Sequence, residues 1–354
     1  MSKQEGSPLR GRGATYNPAN RHSATVSETV DDGWYSEEEA PLRTELIEDR
    51  SRSVIARNDS PDVPFDRSIN PYRGCEHGCI YCFARPSHAW LGFSPGLDFE
   101  SRILYKPDAA DLLRTELARP GYRCAPLALG ANTDAWQPAE RRLRITRAVL
   151  EVLAEVRHPV TIITKSALIE RDLDLLAPMA ERRLVSVAVS VTTLDSGIAR
   201  RLEPRAAAPH RRLRVIESLS RAGIPVRVQV APVIPFLTDD GLEAILEAAR
   251  AAGADSAGYI LLRLPYEVRD LFQDWLEAHF PLRAARVMSA IRASRDGREN
   301  DARFGSRMRG SGVFADLLAQ RFRRTCDRLG FGAPPALDCS GFAPPAAGGQ
   351  LTLL

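Results

Sequence analysis

Three cysteines crowd into the run Gly74-Cys75-Glu76-His77-Gly78-Cys79-Ile80-Tyr81-Cys82-Phe83, a C-x3-C-x2-C spacing. Three thiolates this close can each hold one iron of a cubane cluster. The loop has no fourth cysteine nearby, so one iron would lack a protein ligand and could bind a small molecule. Gly74 and Gly78 permit the tight backbone turns that such wrapping needs. The competing chemistry is a structural zinc ion on the same three cysteines, with His77 or a distant residue as fourth ligand. Cys124, Cys326 and Cys339 are scattered. Cys124 reads as a structural thiol just before a strand, and the other two have no recognisable donor context. Six cysteines in 354 residues are too sparse for a disulfide scaffold. Crowding of three in a cytosolic chain points instead to metal or redox chemistry.

The elements that must position this loop form a regular alternation. Short apolar runs at residues 68–72, 126–130, 160–165, 185–191, 226–231 and 257–262 predict six strands. Helical patterns follow them at 108–118, 141–156, 169–182, 210–222, 239–252 and 267–279. Repeated strand–helix units imply a parallel sheet with right-handed crossovers. Six units are two short of a closed eight-stranded barrel. The expected fold is α/β, an open partial (β/α)6 barrel of the TIM type, with a flat doubly wound sheet as the alternative. In either architecture ligands bind at the C-terminal strand ends. The cysteine loop follows the first strand directly and sits on that face.

Apolar residues make up 44% of the chain and charged residues 26%, enough for a substantial core. The formal net charge is only +3, so a global electrostatic case for nucleic-acid binding fails. No apolar run approaches the roughly 20 residues that span a bilayer. The N-terminus is polar and lacks the apolar core of a signal peptide. A cytoplasmic location without membrane contact is the expectation. Residues 1–60 predict an N-terminal extended arm, largely irregular, with local order near Trp34 and Tyr35. Residues 61–282 hold the barrel. Residues 283–354 form an Arg-rich C-terminal helical extension and an irregular tail. Positions 283–328 carry twelve arginines against five acidic residues, which suits phosphate contact, a solvated face, or a lid over the barrel.

The loop also resembles the signature of radical S-adenosylmethionine enzymes, with an aromatic residue just before the third cysteine and the motif after strand one. Further segments resemble the spore photoproduct lyase (DNA repair photolyase-like) branch of that superfamily. They are Asn70 to Arg85 (NPYRGCEHGCIYCFAR), Leu129 to Glu140 (LGANTDAWQPAE), Thr164-Lys165-Ser166, Leu202 to Arg205, and Val230 to Asp239. Gly11 to Ser23 resembles a bacterial subgroup of that branch. The resemblance spans roughly residues 10–330.

It implies that Cys75, Cys79 and Cys82 ligate a 4Fe–4S cluster whose open iron chelates S-adenosylmethionine. Reductive cleavage of the cofactor would give a 5′-deoxyadenosyl radical that takes hydrogen from a substrate. Tyr81 would contact adenine through its ring or backbone. Lys165 would face the cofactor carboxylate, or be an exposed strand-end lysine. Ser190 would reach the ribose or amino group, or be a small core residue. Thr133 and Asp134 would bind the cofactor amino group, with turn capping as the other role for Asp134. Glu203 would touch cofactor or substrate, or pair with an arginine. Trp90, Phe93 and Phe99 would shield the cluster. The implied partners are a reductant such as flavodoxin or ferredoxin and a substrate that could be nucleic acid. A protein or small-metabolite substrate, and a zinc-stabilised nucleic-acid-binding module without catalysis, are the alternatives. The lyase also uses a cysteine near its active site to return hydrogen to the product radical. No cysteine here matches that role.

Overall fold

The computed structural model describes residues 9–22 and 42–345. Six strands run parallel in chain order: Arg67–Ile69, Leu127–Leu129, Val160–Thr164, Val185–Ser190, Val226–Val233 and Ser256–Leu261. Each pairs with its neighbours in sequence, with Ser68 opposite Ala128, Thr161 opposite Ser186 and Ser256 opposite Arg227. A doubly wound sheet needs the strand order to reverse at a switch point. Here it never reverses, so every crossover has one sense and the helices gather on one face. The first and sixth strands do not pair, and the architecture is an open, partial (β/α)6 barrel. The free edge of the first strand is taken by an antiparallel strand, Ile55–Arg57.

Strand composition explains the layering. The third strand is β-branched on both faces, and the fourth and fifth set valines on one face, as strands buried in a parallel sheet do. Val160, Ile162, Val185, Val187, Val189, Val226 and Val228 are all buried. Each covering helix contributes one apolar stripe, such as Val149, Val152 and Leu153 in Ile145–Glu155, or Val215, Ile216 and Leu219 in Pro209–Arg221.

The helix expected over 141–156 is two helices, Glu140–Leu143 and Ile145–Glu155, broken at Arg144 with φ 54°. Buried Glu140 causes the break. Its carboxylate accepts the backbone N–H of Thr146 at 3.0 Å and of Arg147 at 3.3 Å, capping the second helix from upstream. Short Leu97–Ser101 and two longer helices lie where no strand–helix unit is expected. Ser196–Leu202 is capped by Asp195 onto the N–H groups of Gly197 and Ile198, and Pro281–Ala293 opens on its proline.

The N-terminal arm is less irregular than its composition suggests. Glu45–Glu48 joins Arg102–Tyr105 and Tyr72–Arg73 in a second, three-stranded sheet. Residues 9–22 pack on the cysteine loop. Backbone pairing holds the strand, and side-chain-to-backbone anchors hold residues 9–22, so neither segment leaves a hydrophobic period to read. Trp34 and Tyr35 lie outside the described residues. At the other end Gly312–Leu329 is helical and stops at Gly330, with φ 68°. Much of the arginine excess there is engaged internally. Arg321 pairs with Glu243, Arg328 with Glu247, and Arg303 with Asp296 and Asp301. No helix among the described residues is long and apolar enough to cross a membrane.

Two buried histidines make the fold acid-sensitive. His158 lies 2.8 Å from the Tyr122 hydroxyl and 3.0 Å from the Pro159 carbonyl, and His88 lies 3.0 Å from the Arg102 carbonyl. Burial lowers both rings to about 4, against the upward pull of those carbonyls. Folded, the rings stay neutral, while the unfolded chain protonates them near 6.5. Stability therefore falls as pH drops from about 6.5 toward 4, by on the order of 3 kcal/mol per ring once both are passed. Urea midpoints measured across this window should fall, and should fall less in His158→Gln. A midpoint independent of pH over that range would contradict the assignment.

Candidate functional site

The cysteine loop is held through its own backbone by main-chain and buried side-chain partners. Gly74 and Gly78 take φ 82° and 67°, which lets the chain reverse twice between Arg73 and Cys79. Cys75 N–H donates to the Phe99 carbonyl at 2.9 Å, and Ile80 N–H to the Leu202 carbonyl at 3.1 Å. Buried Gln137 spans the loop, accepting from Glu76 N–H at 2.9 Å and donating to the Gly74 carbonyl at 3.1 Å. Fully buried Arg85 donates to the carbonyls of Cys79 at 2.9 Å, Gly78 at 3.2 Å and Gly96 at 2.9 Å, and pairs with buried Glu100.

Cys75 and Cys79 are buried and Cys82 is half-buried. Burial pushes the Cys75 thiol up, reinforced by Asp134, Cys79 and Cys82. Burial also raises Cys79 to about 12, with Glu203 and Cys82 adding to it and Lys165 opposing. The three sulfurs thus share one electrostatic environment. Among the described residues no three His, Cys, Asp or Glu side chains gather tightly enough for a single metal ion. Three soft thiol donors on one fixed loop suit a larger iron–sulfur group.

The other predicted residues line the strand exits around this loop. The Thr133 hydroxyl donates to the Tyr72 carbonyl at 3.0 Å. The Asp134 carboxylate accepts from Trp136 N–H at 2.9 Å, Lys165 N–H at 2.7 Å and the Thr164 hydroxyl at 2.8 Å, and lies 3.4 Å from His77 Nδ1. It staples the exits of the second and third strands to the cysteine loop. Lys165 leaves the third strand with Nζ 5.9 Å from the centre of the Tyr81 ring. Its charge acts on Glu203, Cys79 and His77, yet it forms no ion pair among the described residues. Ser190 ends the fourth strand, and its buried hydroxyl has no hydrogen-bond partner. Glu203 is buried in an ion pair with Arg212 and accepts the hydroxyls of Tyr81 and, at 2.7 Å, Thr192. Burial pushes this carboxyl up, but Arg212 and Lys165 outweigh it and hold the group at about 2.

One expectation changes here. Trp90 is 74% exposed and stacks on His22 at 4.0 Å, so it does not shield the cysteines. Phe99 does, packing against Cys75 and Cys82. Cys124 is half-buried, beside Cys339, at the strand end opposite the loop.

Sequence reasoning missed the strap formed by residues 9–22. Gly13 and Ala14 donate backbone N–H groups at 2.8 Å to the two carboxylate oxygens of Glu100, and Arg12 donates to the Glu100 carbonyl at 2.6 Å. A Cβ on Gly13 would fall 1.8 Å from the Gly78 carbonyl oxygen, so this contact needs glycine. The strap continues to Tyr16, whose hydroxyl donates to Asp274 at 2.8 Å, and to Arg21, paired with Glu267 at 2.6 Å. No local pattern marks Glu100 or Arg212 as partners.

A barrel open at one seam, with three close thiols after its first strand, defines a class of enzyme. The Radical SAM superfamily matches residues 69–249, and the chain belongs to that superfamily. It is a radical SAM enzyme, and the cofactors of the superfamily are a 4Fe–4S cluster and S-adenosylmethionine. The reading as a non-catalytic zinc module falls with this finding.

Within the superfamily the chain is 40% identical over 232 residues to an uncharacterized protein of Mycobacterium tuberculosis (strain ATCC 25618 / H37Rv), covering 65% of this chain and 68% of the relative. An uncharacterized protein of Methanocaldococcus jannaschii is 24% identical over 197 residues, 56% of this chain and 71% of that one. Among solved structures, spore photoproduct lyase complexed with dinucleoside spore photoproduct superposes with a TM-score of 0.56 at 14% identity, over 80% of this chain and 79% of that one. That likeness is one of fold.

Proposed function

We propose that Cys75, Cys79 and Cys82 each bind one iron of the 4Fe–4S cluster, that S-adenosylmethionine takes the remaining iron, and that the substrate is a nucleic acid. The observation that carries the cofactor assignment is the company these thiols keep. They sit on a rigid loop beside an uncommitted lysine and a buried serine hydroxyl without a partner. When bound, the cluster and cofactor supply a 5′-deoxyadenosyl radical that takes hydrogen from the substrate.

The residues of this chain do the positioning. Lys165 offers a point charge to the cofactor carboxylate. Ser190 satisfies its hydroxyl on the ribose or amino group, because a buried hydroxyl without a partner is costly. Tyr81, its hydroxyl tied to Glu203, presents its ring to adenine. Thr133 and Asp134 fix the rim that receives the amino group, and Phe99 and the strap exclude water. A one-electron protein reductant of flavodoxin or ferredoxin type fits the superfamily's chemistry.

Nucleic acid is favoured as substrate by the barrel shared with the lyase and by exposed aromatic rings paired with arginines at the mouth. The lyase's own repair step is not carried over. Among the described residues no cysteine besides the three on the loop faces the mouth.

Deuterium transfer tests the reading. Reduced enzyme loaded with S-adenosylmethionine should move deuterium from a uniformly deuterated oligonucleotide into 5′-deoxyadenosine, detected by mass spectrometry. Transfer from a deuterated peptide or metabolite extract, with none from the oligonucleotide, would assign the radical to another substrate class.

A further inference from the structure

The C-terminal mouth of the barrel carries exposed rings, each with a guanidinium near it. Phe83 is 47% exposed with Arg263 at 5.6 Å, and Phe236 is 37% exposed with Arg286 at 3.9 Å. Tyr266 lies under Arg21 at 4.4 Å, and Phe304 under Arg307 at 4.6 Å. Two of these arginines are already neutralised. Arg21 pairs with Glu267, and Arg307 donates to Asp62 at 2.7 Å.

Arg263 differs from these. It follows the sixth strand and is half-buried. Among the described residues it has no carboxylate partner. Its Nη1 meets the Met308 sulfur at 3.6 Å, and its buried Nε has no acceptor. Arg295 and Arg307 lie close enough to repel it, and the nearest acid, Asp62, is committed to Arg307. Desolvation, then these two arginines, lower its pKa to about 10, which still leaves it charged at neutral pH. Arg295 cannot relieve the repulsion by moving. Its guanidinium holds the carbonyls of Leu262 at 2.8 Å, Arg307 at 2.9 Å and Ser306 at 3.0 Å. The same bonds fix the strand exit that carries Arg263. A partly desolvated cation among like charges, with donors unused, is complementary to an anion.

The neighbouring ring defines which anion. Phe83 directly follows the third cysteine of the loop, and half of it faces outward. A planar base stacks on such a ring, and base–aromatic stacking beside a backbone-tracking cation is how unpaired nucleic acid is held. A duplex hides its base faces, so the fit is to a single strand or an extruded nucleotide.

We propose that Arg263 and Phe83 form a nucleotide site at the barrel mouth, Arg263 taking a backbone phosphate and Phe83 stacking the adjoining base next to Cys82. This rests on nucleic acid being the substrate. The site brings one base to the cofactor and leaves Arg286 and Phe236 to carry the strand onward.

Fluorescence anisotropy of labelled oligothymidylate and oligouridylate, with polyglutamate as an anionic-peptide probe, tests it on the anaerobically loaded enzyme. Arg263→Ala should weaken oligonucleotide binding about 10-fold and reduce the slope of log affinity against log salt by about one. Arg263→Lys should keep the slope and recover part of the affinity. Phe83→Leu should weaken binding about 10-fold with the slope unchanged. Iron content and thermal midpoint of each variant establish that the fold and cluster are intact. If the wild type binds oligonucleotide and Arg263→Ala binds it equally with an unchanged slope, the site is wrong while the nucleic-acid reading stands. If the wild type binds neither oligonucleotide, both fail. Arg263-dependent capture of polyglutamate instead would assign the site to an acidic peptide. Failure of the loaded wild type to cleave S-adenosylmethionine would defeat the cofactor assignment independently of any of these.

Discussion

Cys79→Ala is expected to bind only a small fraction of the wild-type iron after anaerobic reconstitution and to cleave S-adenosylmethionine at background rate. Loss of groups one step removed from a metal costs about 10–100-fold, so loss of a direct ligand should exceed about 100-fold. The structure makes this a clean substitution. What holds the loop at this position is the Cys79 carbonyl, which accepts from Arg85 at 2.9 Å and from Cys82 N–H at 3.2 Å. Alanine retains that carbonyl, so circular dichroism and the apo-protein melting midpoint should be unchanged. Cys75→Ala and Cys82→Ala should behave alike, because each removes one of three equivalent sulfurs. Iron analysis and chromatography of 5′-deoxyadenosine read the result. A variant that keeps full iron and full cleavage would falsify the ligand assignment.

Arg212→Met is expected to destabilise the fold by about 3–5 kcal/mol, because it strands the Glu203 carboxylate without its counter-charge. Both side chains of the pair are almost fully buried, at 2% and 1% exposure. The double variant Arg212→Met, Glu203→Gln should regain a substantial part of the loss, and the cycle measures the coupling. The pH dependence has a definite sign. Glu203 is held near 2, below its ordinary 4.5. The stability this contributes is present above about 4.5 and is lost as pH falls toward 2. Without Arg212 and its charge, burial dominates and pushes the carboxyl up, so the sign reverses: the variant's deficit is smallest at low pH, where Glu203 is protonated, and grows as pH rises. Urea unfolding at several pH values reads both effects. The consequence for function runs through Tyr81, whose hydroxyl rests on Glu203 and which stands in the chain between Cys79 and Cys82, two of the proposed ligands. The single variant should therefore raise the KM for S-adenosylmethionine more than the double variant does. Equal stability of Arg212→Met and wild type would show that the pair contributes nothing.

The strand–helix rhythm was legible because buried parallel strands select short apolar, valine- and isoleucine-rich runs, and that signal is local. Val160–Thr164 and Val185–Ser190 lie within a residue of the expected positions for this reason. The helix break at Arg144 was not legible. It depends on Glu140 turning back to cap Thr146, and a first-turn glutamate is equally at home in an unbroken helix. The helix Pro281–Ala293 was missed because its arginines obscure a short apolar stripe of Ala284, Val287, Met288 and Ile291.

At the site the division is sharper. The sequence alone determined the cysteine triad and its place after the first strand, since both are encoded within about one loop length and chemistry restricts which residues can hold iron. It also placed Lys165 and Ser190 at strand exits, because strand ends follow from the pattern. Only the tertiary structure decided what each charged group does there. Glu203 faces Arg212 rather than open solvent, Glu100 anchors a strap from residues 12–14, and Arg263 ends without a counter-ion beside Phe83. Such pairings join positions far apart in the chain, as with Phe83 and Arg263, 180 residues apart. Charge carries no address along the chain: any of the arginines could meet any acid, and which ones do is settled by the curvature of the barrel and the water it excludes.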